Sequence, residues 1–114
     1  MKPYQSEITG HLDIFAADNT EEFEGEVTSW RTIVLHGDPE GLRSLAQLLL
    51  RLADLRQVEL PALPSGAREH YSLRPGWDLS DSSAEVIVGR LDAKGTGTFY
   101  DRYVAKGSTE KSNS

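Results

Sequence analysis

The chain has 114 residues, 38% of them apolar and 26% charged, with no cysteine and a formal net charge of −6. That length accommodates one domain around one hydrophobic core, and the composition suits a folded globular chain rather than a disordered one. The lack of cysteine excludes disulfides, thiolate nucleophiles and thiolate metal sites.

No apolar run approaches the roughly 20 residues that a membrane helix needs, and the opening "MKPYQSEITG" lacks the apolar centre of a secretion signal. A cytoplasmic location is the expectation. The charge is unevenly placed. Residues 1–30 hold seven acids (Glu7, Asp13, Asp18, Glu21, Glu22, Glu24 and Glu26) against one base, Lys2, whereas residues 31–114 hold eleven of each. An acidic end repels phosphate backbones, which argues against nucleic acid. It can steer a basic protein toward itself, and it also serves solubility.

In chain order, "ITGHLDIFA" (Ile8–Ala16) alternates as a half-buried strand does. "ADNTEE" reads as a polar turn. "FEGEVTSW" (Phe23–Trp30) alternates again, so a hairpin is expected, and "WRTIVLHG" follows as a third, β-branched strand. A helix then starts at "GDPEG". Asp38 suits the N-cap, Pro39 the first helical position and Glu40 the positive end of the dipole. A phosphate cradle at this turn would need free N–H groups and no nearby acids, so capping accounts for it better.

From Leu42 to Leu55 the apolar residues fill an arc of about 220° at 100° per residue. Leu42, Leu45, Ala46, Leu49, Leu52 and Ala53 form its expected centre, with Leu48 and Leu55 on one side and Leu50 on the other. An arc so wide predicts a helix that lies on a sheet and is covered along one flank as well. After the proline-bearing connector "VELPALPSGAR", the short strand "EHYSLR", the loop "PGWDLSDSS", the strand "AEVIVGRL" (Ala84–Leu91) and its partner "TGTFYDRYV" (Thr96–Val104) are expected. The fold class is therefore α+β: a mostly antiparallel sheet of five or six strands, three before the helix and two or three after, with the helix packed on one face. Residues 1–106 form a single domain and 107–114 a disordered polar tail.

No catalytic or metal site assembles from these residues. His11, His36 and His70 lack companions at metal-ligand spacing, and no serine stands in a Gly-x-Ser-x-Gly turn. The carboxylates Asp78 and Asp81 read as solvated loop residues rather than acid–base partners. No cofactor motif is present. Trp30 is assigned to the core. Trp77, between Gly76 and Asp78, suits a core plug and an interface anchor equally.

The run "GDPEGLRSLAQLLLRLAD", followed by "EHYSL" and then "GWDLSDSSAEVIVGRL", resembles the immunity protein 32 family of bacterial polymorphic toxin systems. The likeness covers roughly residues 31–91 and rests on a helix start of the form G-(D/N)-x-E-G-L-x-x-L-A, a later His-containing strand, a loop and an apolar strand. It implies a small cytoplasmic protein that binds and silences one cognate toxin, and it assigns no catalytic residue. The residues themselves agree with a non-enzymatic inhibitor of a basic toxin that covers the toxin's active site. Its expected contacts are Glu21, Glu22, Glu24 and Glu26, and a second patch of Trp77, Asp78 and Asp81. No cofactor, nucleic acid or membrane is expected, and the chain is expected to be a monomer or weak homodimer. The rival readings are an adaptor domain that associates through the helix flank, and a ligand-binding domain with a pocket between helix and sheet.

Overall fold

The computed structural model describes residues 5–108. The first two strands, β1 (Leu12–Phe23) and β2 (Glu26–Gly37), form one long antiparallel hairpin. The helix α1 (Pro39–Asp54) follows, then a short 3-10 turn over Gln57–Glu59 and a second small hairpin of β3 (His70–Leu73) and β4 (Val86–Gly89). The class is α+β, but the strands do not join one sheet of five or six. They form two separate two-stranded sheets.

Three expectations change with this. "ADNTEE" is not a turn but the middle of β1 and its approach to the turn. The chain reverses at Glu24 and Gly25, whose φ values of 52° and 84° are the left-handed pair of a two-residue hairpin turn. Polar residues there signal a strand in solvent: Asp18 pairs with Arg31 at 2.9 Å, and Asn19 Nδ2 donates to Thr32 Oγ1 at 2.9 Å across the ribbon. The expected second and third strands are therefore one strand, β2. Residues 96–104 form no strand either. Gly95 and Gly97 sit at φ 89° and 73°, and Arg68 holds the segment from the side, donating to Thr98 O at 2.6 Å and stacking 3.8 Å from the Tyr100 ring centre. Of the expected polar tail, Gly107 and Ser108 are described and the rest lies outside the described residues.

The core sits at the base of the hairpin. Ile8, Leu12, Ile14, Leu45, Leu48, Leu73 and Leu79 pack together, with Tyr71, Val86 and Val88 against them. Leu12 and Leu48 are each only 1% exposed. The buried face of α1 is Gly41, Ser44, Leu45, Leu48 and Leu52, so Leu48 is central rather than lateral. Leu42, Ala46, Leu49, Leu50 and Ala53, expected to be covered, are exposed. The wide apolar arc is present, but only about half of it meets the sheet.

The helix start is tied to β1 by reciprocal bonds. Asp38 Oδ1 accepts from Gly41 N (2.7 Å) and from His11 N (3.0 Å), and Asp38 N donates to His11 O (3.2 Å). Ser44 Oγ donates to Thr9 O and accepts from Thr9 N, at 3.0 and 3.1 Å. At the other end Arg90 grips Asp92 through two nitrogens, at 2.8 and 2.6 Å, and donates to Leu52 O and Leu55 O, at 3.0 and 2.7 Å. A cation is thus fixed at the negative end of the helix. The His11 and Gly41 N–H groups hold the Asp38 carboxyl below the ordinary carboxylate range, and the Arg90 guanidinium does the same for Asp92. A carboxyl depressed in the folded state stabilises the fold above its unfolded value, near pH 4, and that stabilisation drains away as pH falls through the folded value. The thermal midpoint should therefore fall between pH 5 and pH 2, and fall less steeply in Asp38→Asn, which keeps the cap acceptor but loses the titrating group.

Candidate interaction surface

Beyond Ala16 and Ile33 the hairpin leaves the core and runs on as a free two-stranded arm. The radius of gyration is 18.0 Å, against about 13 Å for a compact domain of this length. The molecule measures 60 × 36 × 22 Å. An isolated two-stranded ribbon is marginal in water, and among the described residues no third strand pairs with this one.

The seven early acids are placed in two groups. Glu7 pairs with Arg51, Asp18 pairs with Arg31, and Asp13 accepts from Ser80 and Ser82 Oγ, both at 2.9 Å. These three are engaged within the molecule. Glu21, Glu22, Glu24 and Glu26 are brought together at the tip of the arm, all exposed, with no ion pair among the described residues. They occupy about 10 Å of ribbon at 3.3 Å per residue. At that spacing in water each pair repels by about 0.5 kcal/mol, which a basic partner would relieve.

Apolar side chains line the same arm. Phe23 is 71% exposed, Ile33 65% and Trp30 48%, with Val27 and Leu35 also open. Trp30 is thus an arm residue and not the core residue expected of it. Composition hides this surface, because an exposed alternating strand and a half-buried one have the same pattern. The local signal is Gly25 alone, a residue type that takes the left-handed second position of the turn without strain.

The second expected patch lies at the opposite end of the arm, beside the base of β1, where Ser80 N donates to Leu12 O at 2.8 Å. The length of β1, about 35 Å, separates it from the glutamates, so the fold does not bring the two sets together. Asp78 is only 6% exposed. Its carboxylate accepts from Arg74 N at 2.9 Å and from Ser6 Oγ, and so organises the Arg74–Leu79 loop from inside. Trp77 is exposed, with the Arg74 guanidinium 4.5 Å from its ring centre, and Asp81 is exposed nearby.

Open depressions are also present. One of about 490 Å³ is lined by Arg68, His70, Ile87, Leu91, Tyr100 and Arg102, beside the small sheet, and another of about 570 Å³ lies between the end of α1 and Tyr71 of β3, lined by Arg51, Asp54, Leu55, Arg56 and Glu59. Arg68 spends its nitrogens on Leu91 O and Thr98 O. Among the described residues no three His, Asp or Glu side chains converge as a metal site would require, and no helix is long and apolar enough to cross a membrane.

The family model described as Immunity protein 32 matches residues 32–91, just over half of the chain. The chain belongs to the immunity protein 32 family. The matched segment of this immunity protein 32 member takes in the lower part of β2, all of α1, and both β3 and β4. It leaves out β1, with the core residues Leu12 and Ile14, as well as Glu21, Glu22, Glu24 and Glu26. Neither curated proteins nor solved structures give a match.

Proposed function

We propose that this chain is an immunity protein that neutralises a cognate secreted toxin by stoichiometric binding, with the acidic arm as its principal contact. The observation that carries the reading is the arm itself: four exposed glutamates, in no ion pair among the described residues, and a set of exposed apolar side chains on a ribbon that the chain's own core leaves uncovered. Carboxylates at a projecting tip raise the rate of encounter with a basic surface. Phe23, Val27, Trp30 and Ile33 then supply area that is buried on contact, the source of most binding free energy. A narrow tip suits insertion into a concave active site, and occlusion there would silence the toxin without chemistry by the inhibitor. Trp77 and Asp81 form a secondary contact at the base. Asp78 serves by shaping their loop.

Family membership supports the immunity role. Such an inhibitor acts in the cytoplasm, with no cofactor and no nucleic acid. The test is to express the C-terminal domain encoded by the reading frame adjoining this chain's gene, with and without the chain. Growth arrest relieved by co-expression, with a 1:1 complex on co-purification, is the expected result. A domain that is not toxic, or that neither binds the chain nor is silenced by it, would overturn the reading.

A further inference from the structure

The two edges of the arm differ in what they offer to another backbone. The Leu12 and Ile14 carbonyls face away from β2, because they accept from Ser80 N at 2.8 Å and Ala84 N at 2.7 Å. Ser83 Oγ also bonds both Ile14 N and Ile14 O, each at 3.0 Å. Backbone groups alternate along an antiparallel strand, so the even-numbered residues of β1 turn outward and the odd-numbered ones bond across to β2. The register then makes Val27, Ser29, Arg31, Ile33 and Leu35 the outward residues of β2. The base of the β1 edge is thus covered by residues 80–84. On β2, among the described residues, no hydrogen bond reaches the outward N–H or C=O of these five, and all five are exposed.

Folded proteins generally disarm so long an edge with proline, lysine or a bulge. From Glu26 to Gly37 there is no proline and no lysine, and the register runs unbroken over all twelve pairs. The outward residues of β2 are Val27, Ser29, Arg31, Ile33 and Leu35, with Arg31 the one charge among them and paired to Asp18, whereas those of the distal β1 edge are Ala16, Asp18, Thr20 and Glu22. Charge then selects the occupant. Between Asp18 and Arg31 the arm carries five acids and one base. An extended basic segment therefore meets an attractive field, whereas a second copy brings the same acidic excess and no net complementary charge.

We infer that the outer edge of β2 receives an extended basic strand of the toxin partner, which adds to the arm as a third strand by backbone hydrogen bonding. The inference rests on the reading that this chain binds a toxin, and it specifies how. Ser29 and Thr20 face each other at an outward-pointing pair, so proline at either removes an outward N–H without removing a cross-strand bond. With the C-terminal domain encoded by the adjoining reading frame as probe, Ser29→Pro should weaken the dissociation constant by at least about 30-fold, and Thr20→Pro should leave it within about 3-fold. In the wild-type complex, deuterium exchange should slow at the amides of Val27, Ser29, Arg31 and Ile33 and not at Asp18 and Thr20, a measurement that needs no variant. A folded Ser29→Pro variant that binds like wild type, or outward β2 amides that exchange equally fast free and bound, would overturn strand addition and leave inhibition standing. Absence of any binding by the wild-type chain would overturn both.

Discussion

Gly41→Ala should destabilise the fold on the order of 3–5 kcal/mol, within the range of severe single substitutions. A Cβ at Gly41 would lie 2.1 Å from His11 O, 2.7 Å from His11 C and 2.9 Å from His11 N. All three are backbone atoms, so no rotamer change relieves the clash. Nor can His11 withdraw cheaply, because it is locked to Asp38 through both its N–H and its carbonyl. Relief requires the helix start to lift from β1, which breaks those two bonds and strains the Ser44–Thr9 pair behind them. At about 4 °C per kcal/mol for a chain of this size, the thermal midpoint should drop by about 12 °C or more. Arg43→Ala, exposed two residues on, should change stability by less than about 0.5 kcal/mol. A Gly41→Ala midpoint within 2–3 °C of wild type, by about the resolution of a routine melt, would mean that the approach of α1 to β1 is looser than described.

Reversing the four tip glutamates together (Glu21→Lys, Glu22→Lys, Glu24→Lys and Glu26→Lys) should have the opposite profile. None of them is ion-paired among the described residues, so the melting temperature should hold, one mutual repulsion being exchanged for a similar one. Association with the toxin domain should suffer instead. Electrostatic steering contributes about 10- to 1,000-fold to on-rates, so an on-rate loss near 100-fold is expected at low ionic strength. The gap between variant and wild type should narrow steeply toward about 1 M salt, where the screening length is near 3 Å. An unchanged on-rate with unchanged salt dependence would remove the tip from the mechanism.

The helix was the most legible element, for a physical reason. Asp38, Pro39 and Glu40 act locally, through bonds and dipoles within one turn, so their roles can be read from adjacency alone. The necessity of Gly41 could not be read, because the atom it must avoid belongs to His11, thirty residues earlier. The buried face of α1 shifted toward Leu48 for a similar reason: a wide apolar arc does not say which half meets the sheet. Strand number failed because alternation reports a ribbon with two unlike faces, not a ribbon with a core beneath it. The polar stretch from Ala17 to Glu22 has the composition of a turn, yet Asp18–Arg31 and Asn19–Thr32 hold it as strand.

At the candidate site, the gathering of Glu21, Glu22, Glu24 and Glu26 followed from their closeness in sequence and needed only the hairpin to place them at its tip. Asp78 and Trp77 were adjacent too, but neighbours in a tight loop point different ways: one carboxylate turned inward to bond Arg74 N, and the ring stayed out. The type of Trp30 points inward, and the free arm keeps it half in solvent.

The central claim is that the arm, rather than the scaffold, silences the toxin. Its most direct test is excision of the arm. Asp18–Arg31 would be removed and Ala17 joined to Thr32, its register partner, through an Asn-Gly turn suited to a two-residue hairpin loop. The core residues Ile8, Leu12, Ile14, Leu45, Leu48, Leu73 and Leu79 are untouched by this change, so the shortened chain should keep a cooperative melt. It should no longer protect cells expressing the toxin domain, nor co-purify with it. A folded, armless chain that still neutralises the toxin would contradict the account and move the contact to the scaffold.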